Sequence, residues 1–278
     1  MKKKQQSKNS SPGKLGPYWT WLFPAIALFI KLITIFNIPS RIWPGSDAES
    51  YLDAVNGLVT NGYFSDAEKL QYFPAGYPVM IWFFSKISLT NTLLLLGIFQ
   101  TMVFAFASWF FARKVFFGKY ARLAPWVAFL VSFNPTLALS SLVIGYESLV
   151  ASFLMISMGL LLDDKKEKLF IKVFLFSLLS SLITFMQPRY LATSIIVIIL
   201  WALKSFGFKN SIKYVTIVLI VIMVSPIALG LRNKEATGHF FVSNNLGVTM
   251  NVGAGPNSTG GYTNKATGVN CPSNVKTD

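Results

Sequence analysis

The sequence predicts an all-α polytopic membrane protein, with about seven transmembrane helices and short interfacial helices in its first outer loop. Three observations predict this. The 278 residues are 53% hydrophobic and only 13% charged, whereas about a quarter charged is usual for soluble domains. Apolar runs of about 20 residues, the length that crosses a bilayer core, recur along the chain. The net charge of +14 collects in short segments between those runs, as the positive-inside rule expects. No basic stripe alternates with stacking aromatics, as a nucleic-acid surface would need. The expected partner is therefore the lipid bilayer, not nucleic acid.

Taken in order, residues 1–18 are polar and basic and read as a cytoplasmic tail. The run at 19–38 is too long for a signal-peptide core and lacks a small-residue cleavage site. It reads as a retained first span, with Lys31 the one charge to accommodate. Residues 39–91 form the first outer loop. Within it, "FPAGYPVMIWFFSKI" has about 13 apolar residues, too few to cross, and reads as an interfacial helix. Residues 92–112 return to the cytoplasmic side and end in the basic "RKVFFGKYAR". Residues 123–144 go out, kinked at Pro135, and residues 148–162 come back to "DDKKEK". The run at 169–203 would be about 52 Å long as one helix, and "QPRY" interrupts it. Two spans fit better, with Gln187, Pro188 and Arg189 at their outer tip. "KSFGFKNSIK", residues 204–213, is then cytoplasmic, and 214–231 is the last span. The transmembrane module covers 19–231, and 232–278 is an outer Gly/Asn-rich segment. The N-terminus lies in the cytoplasm and the C-terminus outside a cell membrane. Charge agrees: 15 of the 25 Lys and Arg fall in the cytoplasmic segments and 8 in the outer ones. No internal repeat is evident.

The chain has only 11 acidic residues, yet "PGSDAESYLDAVNGLVTNGYFSD" holds Asp47, Glu49, Asp53 and Asp66, and Glu68 follows. Ser46 and Glu49 have capping-box spacing, and Asp47 in the first turn suits the helix dipole. At 100° per residue, Tyr51, Val55, Leu58 and Val59 form an apolar face. Glu49, Asp53 and Asn56 lie opposite, and Asp47 falls at the edge of the apolar face, towards the membrane boundary. Glu147, Arg189 and Arg232 come to span ends on the same outer side. Ionisable groups at membrane depth are functional candidates, although arginines also snorkel as helix anchors. A carboxylate beside arginines suits base-catalysed attack on a phosphate-linked group. His239 and Cys271 are the only residues of their types. They allow no internal disulfide and show no metal-ligand spacing, so no metal site is expected. "GAGPNSTGG" lacks the Gly-Lys-Ser/Thr of a P-loop, and Asn257-Ser258-Thr259 fits a glycosylation triplet.

An ordered set of motifs carries a resemblance. After the first span come "SDAESYLDAVNGLVTNGYF", "FPAGYP", "GYESL", "QPRY" and "SPIALGLRNKEATGHFFVSNNLGVTMNVGAGPNSTGGY". The set resembles the GT-C membrane glycosyltransferases, in the family 39 branch of protein O-mannosyltransferases and bacterial lipid A aminoarabinose transferases. It runs over about residues 19–262. The resemblance implies inverting transfer of a sugar from a polyprenyl-phosphate carrier to a glycan, lipid or protein acceptor at the outer face. No cofactor is implied beyond the lipid-linked donor. Asp47 matches the family's catalytic base, with Glu49 beside it as a second catalytic candidate. Glu147 matches the acid opening the fourth span, and Arg189 is similar to an arginine beside a proline at the next outer turn. The "LRN" after the last span matches Arg232 with Asn233. The family's "PPGYP" stands here as "FPAGYP", which implies a substrate- or carrier-phosphate-binding role for Tyr77, alongside Glu147, Arg189 and Arg232. There are departures: the two loop acids are one residue apart, the order is Pro-Arg, and relatives carry further spans after the Gly-rich loop. The alternatives are a C-terminally short, non-catalytic remnant or a polytopic transporter. A transporter is expected to hold its charges at mid-membrane, whereas these gather at the outer ends.

Overall fold

The computed structural model describes residues 18–118, 120–162 and 169–244. These are helical, and the only strand-like pairing among them is an isolated bridge. Helix α1 (Trp19–Asn37) runs through Pro24 without a break in the helix. Lys31 is buried in it, with its ammonium 3.7 Å from the centre of the Phe104 ring.

The acidic segment forms α2 (Ala48–Asn61) and α3 (Glu68–Tyr72), followed by α4 (Gly76–Ile87). At 12 residues, α4 is only about 18 Å long, too short to cross a bilayer. It sinks into the protein rather than lying loose on its surface. Tyr77 and Ile81 pack with Tyr51 and Val55 of α2, and with Leu96, Leu149, Ile183 and Met186. A Cβ on Gly76 would run into the Phe185 carbonyl, so glycine is what lets α4 begin against that backbone.

Helix α5 (Thr92–Phe117) is the central post, packed by α1, by α4 and by helices that follow it in the chain. The expected kinked span at 123–144 is instead broken into pieces. A short 3-10 turn at Ala121–Leu123 leads into α6 (Ala124–Phe133), and α7 (Pro135–Ser140) follows. Pro135 has no N–H and disfavours helix in the residue before it. Asn134 therefore turns extended, and its Oδ1 accepts the Leu137 N–H at 3.0 Å to start a new helix. After α7 the chain runs through turns to α8 (Glu147–Leu162).

Helix α9 (Leu169–Met186) ends at the expected tip, and α10 (Tyr190–Thr237) begins after it. The basic segment 204–213 is helical except at Gly207, whose φ of 71° is open to glycine. Ile198 and Val218 would be about 30 Å apart on a straight helix. They share one apolar cluster with Val173 and Phe176 of α9, so the chain folds back at Gly207. Helix α10 also continues to Thr237, so the expected module boundary at 231 falls inside a helix.

Among the described residues four helices, α1, α5, α9 and α10, are long and apolar enough to cross a membrane. Helix α8 and the segment ending in α6 are shorter, and helix length does not establish seven crossings. Phe29, Ile33, Phe36, Ile196, Leu200, Ile220 and Val224 stand exposed on the long helices. An apolar surface of this kind belongs in a bilayer.

Candidate functional site

Two loops distant in sequence are laced together at one end of the helices. Trp43 donates its N–H to the Leu142 carbonyl at 2.8 Å, and Ile144 donates to the Trp43 carbonyl at 2.9 Å. This is the parallel bridge Trp43–Val143. Gly45 comes two residues later: a Cβ there would lie 2.7 Å from the Ile144 carbonyl oxygen and 2.9 Å from Val143 Cγ1. The bridge thus sets the stretch leading to Asp47 against the stretch leading to Glu147.

Between them is a cleft of about 320 Å³, lined by Ser46, Asp47, Tyr51, Thr136, Ser140 and Glu147 among others. Asp47 and Glu147 are both solvent-exposed. The expected capping box does not form. Asp47, not Ser46, is the residue before α2, and no side chain caps the helix. A turn does that work, because the Ala48 N–H donates to the Gly45 carbonyl at 3.2 Å. The Ser46 and Asp47 side chains are thereby left to line the cleft. Glu49, Asp53 and Asn56 are exposed as the helical angles require, and Glu49 does not line the cleft. Val59 is exposed and Ala54 takes its expected place inside, since α3 and α10 cover the flank bearing Ala54 and Leu58.

Arg189 meets the residue that precedes Glu147. Its Nη2 donates to the Tyr146 hydroxyl at 2.9 Å, and its guanidinium lies within 6.0 Å of the Tyr146 ring and 5.4 Å of the Tyr190 ring. It is exposed, with donors to spare. Burial pushes the Tyr146 hydroxyl above its ordinary value, while a hydrogen bond with Gln187 and the Arg189 charge pull it down and Glu147 pushes it up. Tyr146 holds Arg189 by its hydroxyl and directly precedes Glu147 in the chain. Asp47 and Glu147 thus line one cleft, and Arg189 touches Tyr146, the residue before Glu147.

Two other candidates do not join them. Tyr77 is fully buried, and its hydroxyl is already engaged. It donates to Gln100 Oε1 at 2.9 Å and accepts the Gly145 N–H at 2.8 Å. Tyr77 thus props the loop before Glu147 from below and presents nothing to a ligand. Arg232 is also fully buried. It donates to the carbonyls of Tyr63, Leu70 and Ser65 and to Asn233 Oδ1. It clamps the connection between α2 and α3 onto α10, far from a phosphate-binding posture. Asn233 continues the clamp, donating to the Phe241 and Val242 carbonyls at 2.7 and 3.2 Å. His239 is exposed beyond α10, while Cys271 and Asn257 lie outside the described residues.

Sequence reasoning missed Gln100. Its Nε2 donates to the Ser141 and Val143 carbonyls at 3.4 and 3.1 Å, so α5 holds the same loop that Tyr77 props. A signal existed: Gln100 is the one carboxamide in the apolar α5. Among the described residues no three His, Cys, Asp or Glu side chains gather as a metal site would need. The described residues therefore define a class, an all-helical membrane-embedded protein with a two-carboxylate cleft. No family model, curated protein or solved structure matches the chain.

Proposed function

We propose that the protein is a multi-pass membrane glycosyltransferase that takes its sugar from a polyprenyl-phosphate carrier and works at the outer face of a cell membrane. What supports this reading is the meeting of Asp47 and Glu147 in one cleft, with Arg189 reached through Tyr146. Asp47 takes the proton of an acceptor hydroxyl. The freed oxygen bonds the anomeric carbon of the donor sugar from the side opposite the carrier. The bond from that carbon to the phosphate oxygen breaks, its electron pair leaves on the phosphate, and configuration inverts. Arg189 meets the phosphate charge, for which a planar two-pronged donor is well suited. Glu147 holds the acceptor or sugar beside Asp47. Tyr77 and Arg232 act by holding the loops, and Glu49 solvates the outer face of α2. In this orientation the N-terminus is cytoplasmic and the C-terminus outside.

The test is transfer from a lipid-linked sugar by the purified full chain in nanodiscs. Asp47→Asn keeps shape but cannot take a proton, and should cost about 10²–10⁴-fold in rate. Glu49→Gln should stay close to the parent. Equal losses in both would break the assignment of the base to Asp47, and an inactive parent would withdraw the transferase reading.

A further inference from the structure

The cleft contains one group that this chemistry leaves unused. Tyr51 is only 3% exposed. Its ring is wedged against Phe73 and Tyr77, with centroids 5.1 Å from each. Its hydroxyl has no hydrogen-bond partner among the described residues, and it is not one of the sealed polar atoms such as Lys31 Nζ or Ser148 Oγ. It opens instead on the cleft that Asp47 and Glu147 line. Buried polar groups are completed by some partner in nearly all folded proteins, so this hydroxyl is set up for one that arrives from the cleft.

Neighbouring chemistry narrows what that partner is. Burial, then Tyr146 and the carboxylates of Glu147 and Asp47, push the Tyr51 hydroxyl well above its ordinary value, so it stays protonated. It offers a proton beside two groups that want one. A phosphate would accept from Tyr51 but would face two carboxylates, with no Lys or Arg among the lining residues. An ammonium ion would suit the carboxylates but has no lone pair for the tyrosine proton. An alcohol oxygen does both, accepting from Tyr51 and donating to a carboxylate. The hydroxyls of Ser46, Thr136 and Ser140 along the walls continue the same pattern.

We propose that Tyr51 is a ligand-binding residue, and that it donates a hydrogen bond to a hydroxyl of a neutral polyol seated between Asp47 and Glu147. That the polyol is a sugar rests on the transferase reading; that the cleft prefers a polyol to an anion or a cation does not.

The experiment uses the full chain in nanodiscs, free of glycoside detergent. It is titrated separately with methyl glycosides of a hexose and a pentose, with inorganic phosphate and with methylammonium, and followed by thermal unfolding. A glycoside should stabilise the parent saturably, while phosphate and methylammonium should not. Tyr51→Phe should weaken glycoside binding roughly 3- to 10-fold, the worth of one hydrogen bond. Without ligand this variant should unfold no earlier than the parent, because the hydroxyl it loses has no protein partner. Tyr120→Phe, at an exposed position, should change nothing. Equal glycoside affinity in Tyr51→Phe would overturn the proposal. So would failure of both glycosides to bind the parent, preference for either ion, or early unfolding of the ligand-free variant. Glycoside binding that depends on Tyr51 in a protein without transfer activity would refute the transferase reading alone.

Discussion

Replacing Arg232 with methionine separates two accounts of that residue. If Arg232 held a carrier phosphate, the change would remove binding and leave the fold intact. The structure instead has its guanidinium fully buried. Three of its bonds go to backbone carbonyls, those of Tyr63 and Leu70 at 3.1 Å each and that of Ser65. A hydrogen bond from a charged donor is worth about 1.5–3 kcal/mol net, and each carbonyl left unpaired in a buried place costs about 1–3 kcal/mol. These figures overlap and do not add fully within one network. With three carbonyls left unpaired and their costs not fully additive, we expect a loss of about 3–5 kcal/mol in Arg232→Met. Arg232→Lys should recover little, because one ammonium group cannot span three separate carbonyls as the planar fork does. Equilibrium unfolding in mixed micelles measures the loss, and limited proteolysis within residues 62–66 reports release of the clamped connection. Arg189→Met, at an exposed site, should stay within about 1 kcal/mol of the parent. An Arg232→Met protein as stable as the parent and equally resistant to protease, but unable to bind polyprenyl phosphate, would refute the clamp and restore the phosphate role.

Three further perturbations follow from the same geometry. Gly45→Ala should force the Trp43–Val143 bridge apart and lose its two hydrogen bonds, about 1–3 kcal/mol; cysteines placed at 47 and 147 should then crosslink less readily than in the parent, and unchanged crosslinking would speak against the bridge. Tyr77→Phe should leave the Gly145 N–H and Gln100 Oε1 unpaired and cost about 1–3 kcal/mol, read as a lower unfolding temperature; no change would mean that Tyr77 does not prop the loop. Lys31→Met should match or exceed the parent in stability by about 1 kcal/mol, since a charge deep in a bilayer costs about 2.5–3.5 kcal/mol and contact with an aromatic face returns about 2 kcal/mol when desolvated; a clear loss of stability would show that the buried ammonium has a partner worth more than the Phe104 ring.

Local chemistry was legible in the chain. Apolar runs of bilayer length showed where helices lie, because the backbone must satisfy itself wherever water is absent. The brevity of α4, the break at Pro188 and the solvated positions of Glu49 and Asp53 all followed from length, proline geometry and helical angle. Asp47, Glu147 and Arg189 could be named as candidates because charge is costly in so apolar a chain. The partners of those groups were not legible. Arg232 and Tyr77 read like site residues, since a lone arginine or tyrosine looks the same in sequence whether it faces a ligand or a carbonyl. Tertiary packing turned both inward, gave Gln100 the loop before Glu147 to hold, and left the Tyr51 hydroxyl without a mate. Even the capping of α2 was decided at a distance, because the bridge between residues 43 and 143 draws Gly45 into a turn that takes the first amide. Periodicity fixes which face of a helix a residue occupies. What that face meets depends on contacts between segments as far apart as Asn244 and Gln71, which only the folded chain brings together.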